Sequence, residues 1–158
     1  MHPLVIDVEA SGFGPGSYPI EVGVAMPDGK VRCMIIRPIP EWQHWDEQAE
    51  SLHGISREIL LEFGSPVREV AEQLNQWLEG EMVYSDAWGN DSSWLALLFD
   101  AAGIRQAFKL DSLFTLLSKK QINAIFNNGE ISLEKKLSDG QKDFSPVNQF
   151  IIRQKASE

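Results

Sequence analysis

The chain has 158 residues, 43% of them hydrophobic, which suits a single domain over 1–158 that buries roughly 70% of its unfolded surface. Its formal net charge of −9 argues against a passive nucleic-acid binder, whose phosphate affinity rests on Lys and Arg. The lone Cys33 excludes an internal disulfide and, with scattered histidines, a zinc site, and it fits a reducing cytoplasm. Met1-His2-Pro3 leads straight into an expected strand over residues 3–8, with no secretory leader and no run of membrane-spanning length. That strand runs through Leu4-Val5-Ile6 into Asp7-Val8-Glu9. Residues two apart on a strand share a face, so Asp7 and Glu9 project side by side from its end. Two carboxylates that close raise each other's pKa unless a cation stands between them, and a divalent metal is the usual reason for keeping both ionised.

Gly12, Gly14, Pro15 and Gly16 make residues 11–18 a loop. A second strand is predicted over 19–26, with Ile20, Val22, Val24 and Met26 on one face and Glu21 on the other. Pro27-Asp28-Gly29-Lys30 is a tight turn, and a third strand over 31–37 completes an antiparallel meander. Residues 39–57 read as irregular. Ser65-Pro66 then opens a helix with Ser as N-cap, an apolar stripe of Val67, Val70, Ala71, Leu74 and Leu78, and a stop at Gly80. Met82-Val83-Tyr84 is a short central strand, and a helix follows over 91–102, ended by Gly103. An edge strand at 108–110, short helices within 111–127 and a last helix over 146–155 after Ser145-Pro146 finish the chain. A meander followed by alternating helix and strand gives an α/β fold: a mixed sheet, antiparallel then parallel, flanked by helices. This order fits an RNase H-like domain and other α/β folds as well.

A second acidic element follows the 82–84 strand: Ser85-Asp86-Ala87-Trp88-Gly89-Asn90-Asp91, leading into Ser92-Ser93-Trp94-Leu95. Asp91 falls in the first helical turn, where Asp is also favoured for capping and for the helix dipole. Asp86 is its neighbour just beyond the strand.

Asp7-Val8-Glu9-Ala10-Ser11-Gly12 resembles the first motif of the DEDD (DnaQ-like) 3′→5′ exonuclease family, which includes RNase T, oligoribonuclease and proofreading subunits. Leu52-His53-Gly54-Ile55-Ser56 is similar to the His-Gly-Ile-Ser stretch that follows the third strand in those proteins, and Ser85 to Leu95 to their second motif. The resemblance covers residues 3–103 and implies an RNase H-like fold and two Mg²⁺ or Mn²⁺ ions in a carboxylate cluster. It implies Asp7, Glu9 and Asp91 as metal ligands and catalytic residues, and hydrolysis of phosphodiesters from nucleic-acid 3′ ends, DNA or RNA, to nucleoside 5′-monophosphates. Ser11 and Gly12 are then expected to face the terminal nucleotide, with His53 as a further substrate contact. A homodimer is one assembly consistent with the resemblance.

The family's third motif, a His or Tyr followed by an Asp at the last helix, is not found. The histidines are His2, His44 and His53, the tyrosines Tyr18 and Tyr84, and none follows residue 84. In the corresponding region Asp139 and Asp143 offer carboxylates; Asp143 is the candidate fourth ligand, and an ordinary loop acid is the alternative. Two readings stay open: a working, weakened exonuclease, or an RNase H-like binding or regulatory module that has lost catalysis. An Asp-nucleophile phosphatase fits less well, because Glu9 is one methylene too long for the second Asp.

Overall fold

The computed structural model describes residues 3–116. Its first strand, β1 (Val5–Ala10), starts and ends two residues later than the sequence pattern predicts. Pairing accounts for the shift, since β2 (Pro19–Ala25) stays in antiparallel register with it from Val5↔Ala25 to Glu9↔Glu21. Asp7 and Glu9 therefore both lie within the strand rather than at its end. The register slips between Glu9 and Ala10, and such an irregularity re-aims the side chains beside it. The turn closes as expected, with Gly29 N donating to Met26 O at 2.9 Å, and β3 (Val31–Ile35) pairs with β2.

The 39–57 stretch is not wholly irregular. It holds α1 (Glu47–His53), capped by the Asp46 side chain, and leads into α2 (Arg57–Phe63), capped by Ser56. Each spans seven residues, and α1 buries none of them, so no apolar stripe marks it in the sequence. The turn between β1 and β2 is roofed by this region. Tyr18, fully buried, stacks on Trp42 at 5.3 Å between ring centroids, and Arg57 donates to the Tyr18 hydroxyl and to the Trp42 carbonyl. Burial pushes the Tyr18 phenol up, and the Arg57 charge and hydrogen bond oppose it. Trp42 is thus part of the core, and His44 lies against the loop at Ser11 and Gly12.

Helix α3 (Val67–Leu78) buries the predicted stripe, but Pro66 is its cap residue, not Ser65. The Ser65 backbone is committed to the sheet edge, its N–H donating to Ile35 O and its carbonyl accepting from Arg37 N, both at 2.9 Å. After β4 (Met82–Ser85), helix α4 (Trp88–Ala102) begins three residues before the expected start. It lies against the sheet and α3, burying Leu95 and Leu98, each worth about 1.5–3 kcal/mol of transfer free energy. Edge strand β5 (Lys109–Ser112) and a short 3-10 turn (Leu113–Leu116) end the described region.

The five strands form one sheet in the order β3-β2-β1-β4-β5, with β1, β4 and β5 parallel, so β1 and not β4 is central. This is the mixed, helix-flanked sheet expected, an RNase H-like architecture. Among the described residues no helix is long and apolar enough to cross a membrane. The expected helix at 146–155, Asp139 and Asp143 lie outside the described residues.

Candidate metal centre and active site

The site arises where β1 and β4 part. Their register contains the single pair Val5↔Tyr84, with Tyr84 N donating to Leu4 O at 2.9 Å. Past it β1 runs on to Ala10 while β4 ends at Ser85 and the chain turns into α4. In open α/β sheets, a crevice outside the carboxyl ends of parallel strands is where ligands bind. Here it receives Asp7 from β1, Asp86 from the turn and Asp91 from the first turn of α4. One oxygen from each of the three lies within 4.8 Å of the others. Asp7 and Asp86 are half-buried, and Asp91 is 1% exposed.

Asp91 is not a helix cap; its N–H already donates to Ala87 O at 2.9 Å, inside the helix. Its carboxylate accepts from Ser85 Oγ at 2.6 Å, in the range of charge-assisted O–H···O⁻ bonds. Burial pushes the Asp91 carboxyl up to about 7. The Ser85 hydrogen bond opposes that rise, the charges of Asp86 and Glu9 add to it, and a hydrogen bond with the Val8 backbone opposes it again.

Glu9 shares the face of β1 that carries Asp7 and is felt electrostatically by Asp91. Among the described residues, however, the three-carboxylate group contains Asp86 and not Glu9. Asp86 is the residue that reading motifs undervalues. Its signal is positional, an acid directly after the last residue of a short buried strand. Glu21, opposite Glu9 in register, is 7% exposed, so a fifth carboxylate borders the site.

Ser11, Gly12 and His53 lie outside the three-carboxylate group and have contacts of their own within the protein. Ser11 is fully buried; its Oγ accepts from Tyr18 N at 3.1 Å and lies 2.9 Å from His44 Nδ1. Its side chain therefore braces the loop. A Cβ on Gly12 would lie 2.7 Å from Asp46 Cβ and 2.8 Å from His44 Cε1, so the missing side chain lets the 44–46 segment close over the loop. His53 Nδ1 accepts from Ile55 N at 3.1 Å, and its ring meets Trp45 edge-on at 5.9 Å, the geometry of a loop anchor. Phe13, in contrast, is 70% exposed and rests against Trp94, one helical turn beyond Asp91, at 6.0 Å between centroids.

No family model and no curated protein matches the sequence. Solved structures of exonuclease I do resemble the fold. E. coli exonuclease I in complex with a dT13 oligonucleotide matches with a TM-score of 0.59 at 12% identity, over 78% of this chain and 29% of that one. The zinc-bound form of the E. coli enzyme with single-stranded DNA gives 0.61 at 13% identity, over 78% and 29%. Exonuclease I from Methylocaldum szegediense gives 0.59 at 13% identity, over 77% and 28%. The chain thus spans less than a third of the length of these proteins. At this level of identity the likeness is one of fold: the chain has the RNase H-like architecture of exonuclease I, with a cluster of carboxylates at the carboxyl ends of its parallel strands.

Proposed function

We propose that the protein is a metal-dependent 3′→5′ exonuclease acting on single-stranded or short nucleic acid and releasing nucleoside 5′-monophosphates. The observation that carries this reading is the convergence of Asp7, Asp86 and Asp91 oxygens within 4.8 Å on the fold of an exonuclease. The donor set is all oxygen, which suits hard divalent cations such as Mg²⁺ and Mn²⁺. Carboxylates this close, one of them buried, oppose one another's ionisation, and a dication among them would favour the charged forms. Such an ion, when bound, supplies Lewis acidity to a phosphodiester and acidity to a water.

The chain's own groups define the rest. Asp7, Asp86 and Asp91 would hold the cation, and Glu9 would add negative charge beside them. Phe13 offers an exposed ring on which a nucleobase can stack, a contact worth about 1–3 kcal/mol and indifferent to sequence. A surface of net charge −9 repels a polyanion, so capture of a 3′ end depends on the same cation as its cleavage. A 5′-labelled single-stranded oligonucleotide tests the proposal: Mg²⁺ or Mn²⁺ should produce a ladder shortened from the 3′ end, and Asp7→Ala should abolish it. No metal-dependent shortening by folded protein overturns it.

One sequence observation favours a second reading. Residues 85–158 contain neither His nor Tyr, the groups that accept the proton in the DEDD family. Loss of a general base costs about 10²–10⁴-fold, enough to leave a module that binds and does not cut. Calorimetric metal titration separates the two. Tight binding of two ions supports the enzyme, and at most one weak ion supports the module.

A further inference from the structure

We propose that Ser85 is the positioning residue of the carboxylate cluster: its hydroxyl fixes the rotation of the Asp91 carboxylate and so the direction from which Asp91 meets a divalent cation. The inference rests on the metal-dependent reading above. Ser85 is the last residue of β4 and is fully buried, so its hydroxyl finds its partners within the protein. Ala87 N donates to Ser85 Oγ at 3.1 Å. The oxygen is thereby engaged as an acceptor, and its one proton is directed at Asp91 Oδ2, 2.6 Å away. The backbone turn that carries Asp86 out of β4 is the same turn that aims the Ser85 proton. One hydroxyl therefore couples the positions of two of the three cluster carboxylates.

The chemistry explains why serine stands there. Alanine would remove the donor and leave an Asp91 oxygen without this partner in a residue only 1% exposed. With one oxygen held by Ser85, the carboxylate cannot swing freely about its Cβ–Cγ bond, and the rotational freedom that cation binding would otherwise remove is already gone. Groups that orient a metal ligand in this way typically govern metal affinity by about 10- to 100-fold.

Mn²⁺ titration of the full chain, by calorimetry and by loss of the free-ion EPR signal, tests this. Ser85→Ala should bind Mn²⁺ at least about tenfold more weakly than wild type with an unchanged circular dichroism spectrum. Ser85→Thr, which keeps the hydroxyl, should stay within about threefold of wild type. Wild-type affinity in Ser85→Ala overturns the positioning role, as does a lowered melting temperature with unchanged Mn²⁺ affinity. Should Ser85→Ala not fold, Ser85→Cys, nearly isosteric and a weak donor, is judged by the same criterion. Failure of the wild-type chain to bind Mn²⁺ overturns instead the metal-dependent reading on which the inference stands.

Discussion

Glu9 and Glu21 stand directly opposite one another across the β1–β2 pair, on the face that also carries Asp7, and Glu21 is 7% exposed. Like charges directly opposite on a sheet destabilise it by about 0.2–1 kcal/mol, and burial of one partner moves this toward the upper end. Glu21→Gln should therefore stabilise the metal-free protein by about 0.5–1 kcal/mol, read from urea midpoints in a chelator. The gain should shrink with saturating Mg²⁺, because a dication offsets the same charge. A destabilised Glu21→Gln variant in chelator would show that the Glu21 charge is favoured by its surroundings more than it is strained by Glu9.

Asp91 sets a pH dependence of stability. Its carboxyl sits at about 7 against an ordinary 3.8. From about pH 4 to pH 7 the folded protein keeps a proton on Asp91 that the unfolded chain has released, so stability falls as pH rises through that window. The contribution is fully present below about pH 4 and lost above about pH 7, with a limiting size on the order of 4 kcal/mol. Unfolding midpoints from pH 4 to 8 in chelator should show the fall in wild type and not in Asp91→Asn. Saturating Mg²⁺ should flatten it by holding Asp91 ionised. Parallel wild-type and Asp91→Asn profiles would contradict the assignment.

Asp86 and Glu9 can be ranked directly. The geometry places Asp86 within the three-carboxylate group and Glu9 outside it. Asp86→Asn should weaken Mn²⁺ binding by about 100-fold or more, as expected when a contacting ligand is lost, and Glu9→Gln by about tenfold, as expected of a neighbouring charge. The reverse order in a paired titration would return Glu9 to the ligand position and move Asp86 to its periphery.

Gly12 is sensitive through packing. A methyl group there meets Asp46 Cβ and His44 Cε1 below 3.0 Å, so the 44–46 segment must move. Gly12→Ala should cost about 1–3 kcal/mol, the usual range for overpacking. It should also disturb the Ser11–His44 hydrogen bond, visible as a shifted His44 ring resonance. An unchanged melting temperature would show that the segment yields freely.

Much of this protein is written locally. The period-two apolar runs of β1, β2 and β3, the turn at Asp28-Gly29 and the stripe from Val67 to Leu78 each fix an element through its own neighbours along the chain. So does the pairing of Asp7 with Glu9, because strand periodicity alone puts them on one face. Ser56 and Gly64 also bound α2 locally, yet seven-residue helices with little buried surface leave no periodic mark, so α1 reads as irregular chain and α2 carries no assignment from the sequence. The cap of α3 was misplaced for a different reason: Ser65 has the right side chain, but its backbone is claimed by Ile35 and Arg37 from another part of the chain.

The site itself is a tertiary decision. Sequence order ranks Asp7, Glu9 and Asp91 by motif, whereas the parting of β1 from β4 after Val5↔Tyr84 decides which oxygens meet. That parting admits Asp86, sets Glu9 beside Glu21, and buries Asp91 against Ser85. Sequence determines which residues carry charge and which face of a strand they take, because both follow from covalent chemistry and backbone period. Which carboxylates come within reach of one ion depends on where strands separate and how helix α4 docks. That is settled by packing between segments some eighty residues apart, through free energies that no local stretch contains.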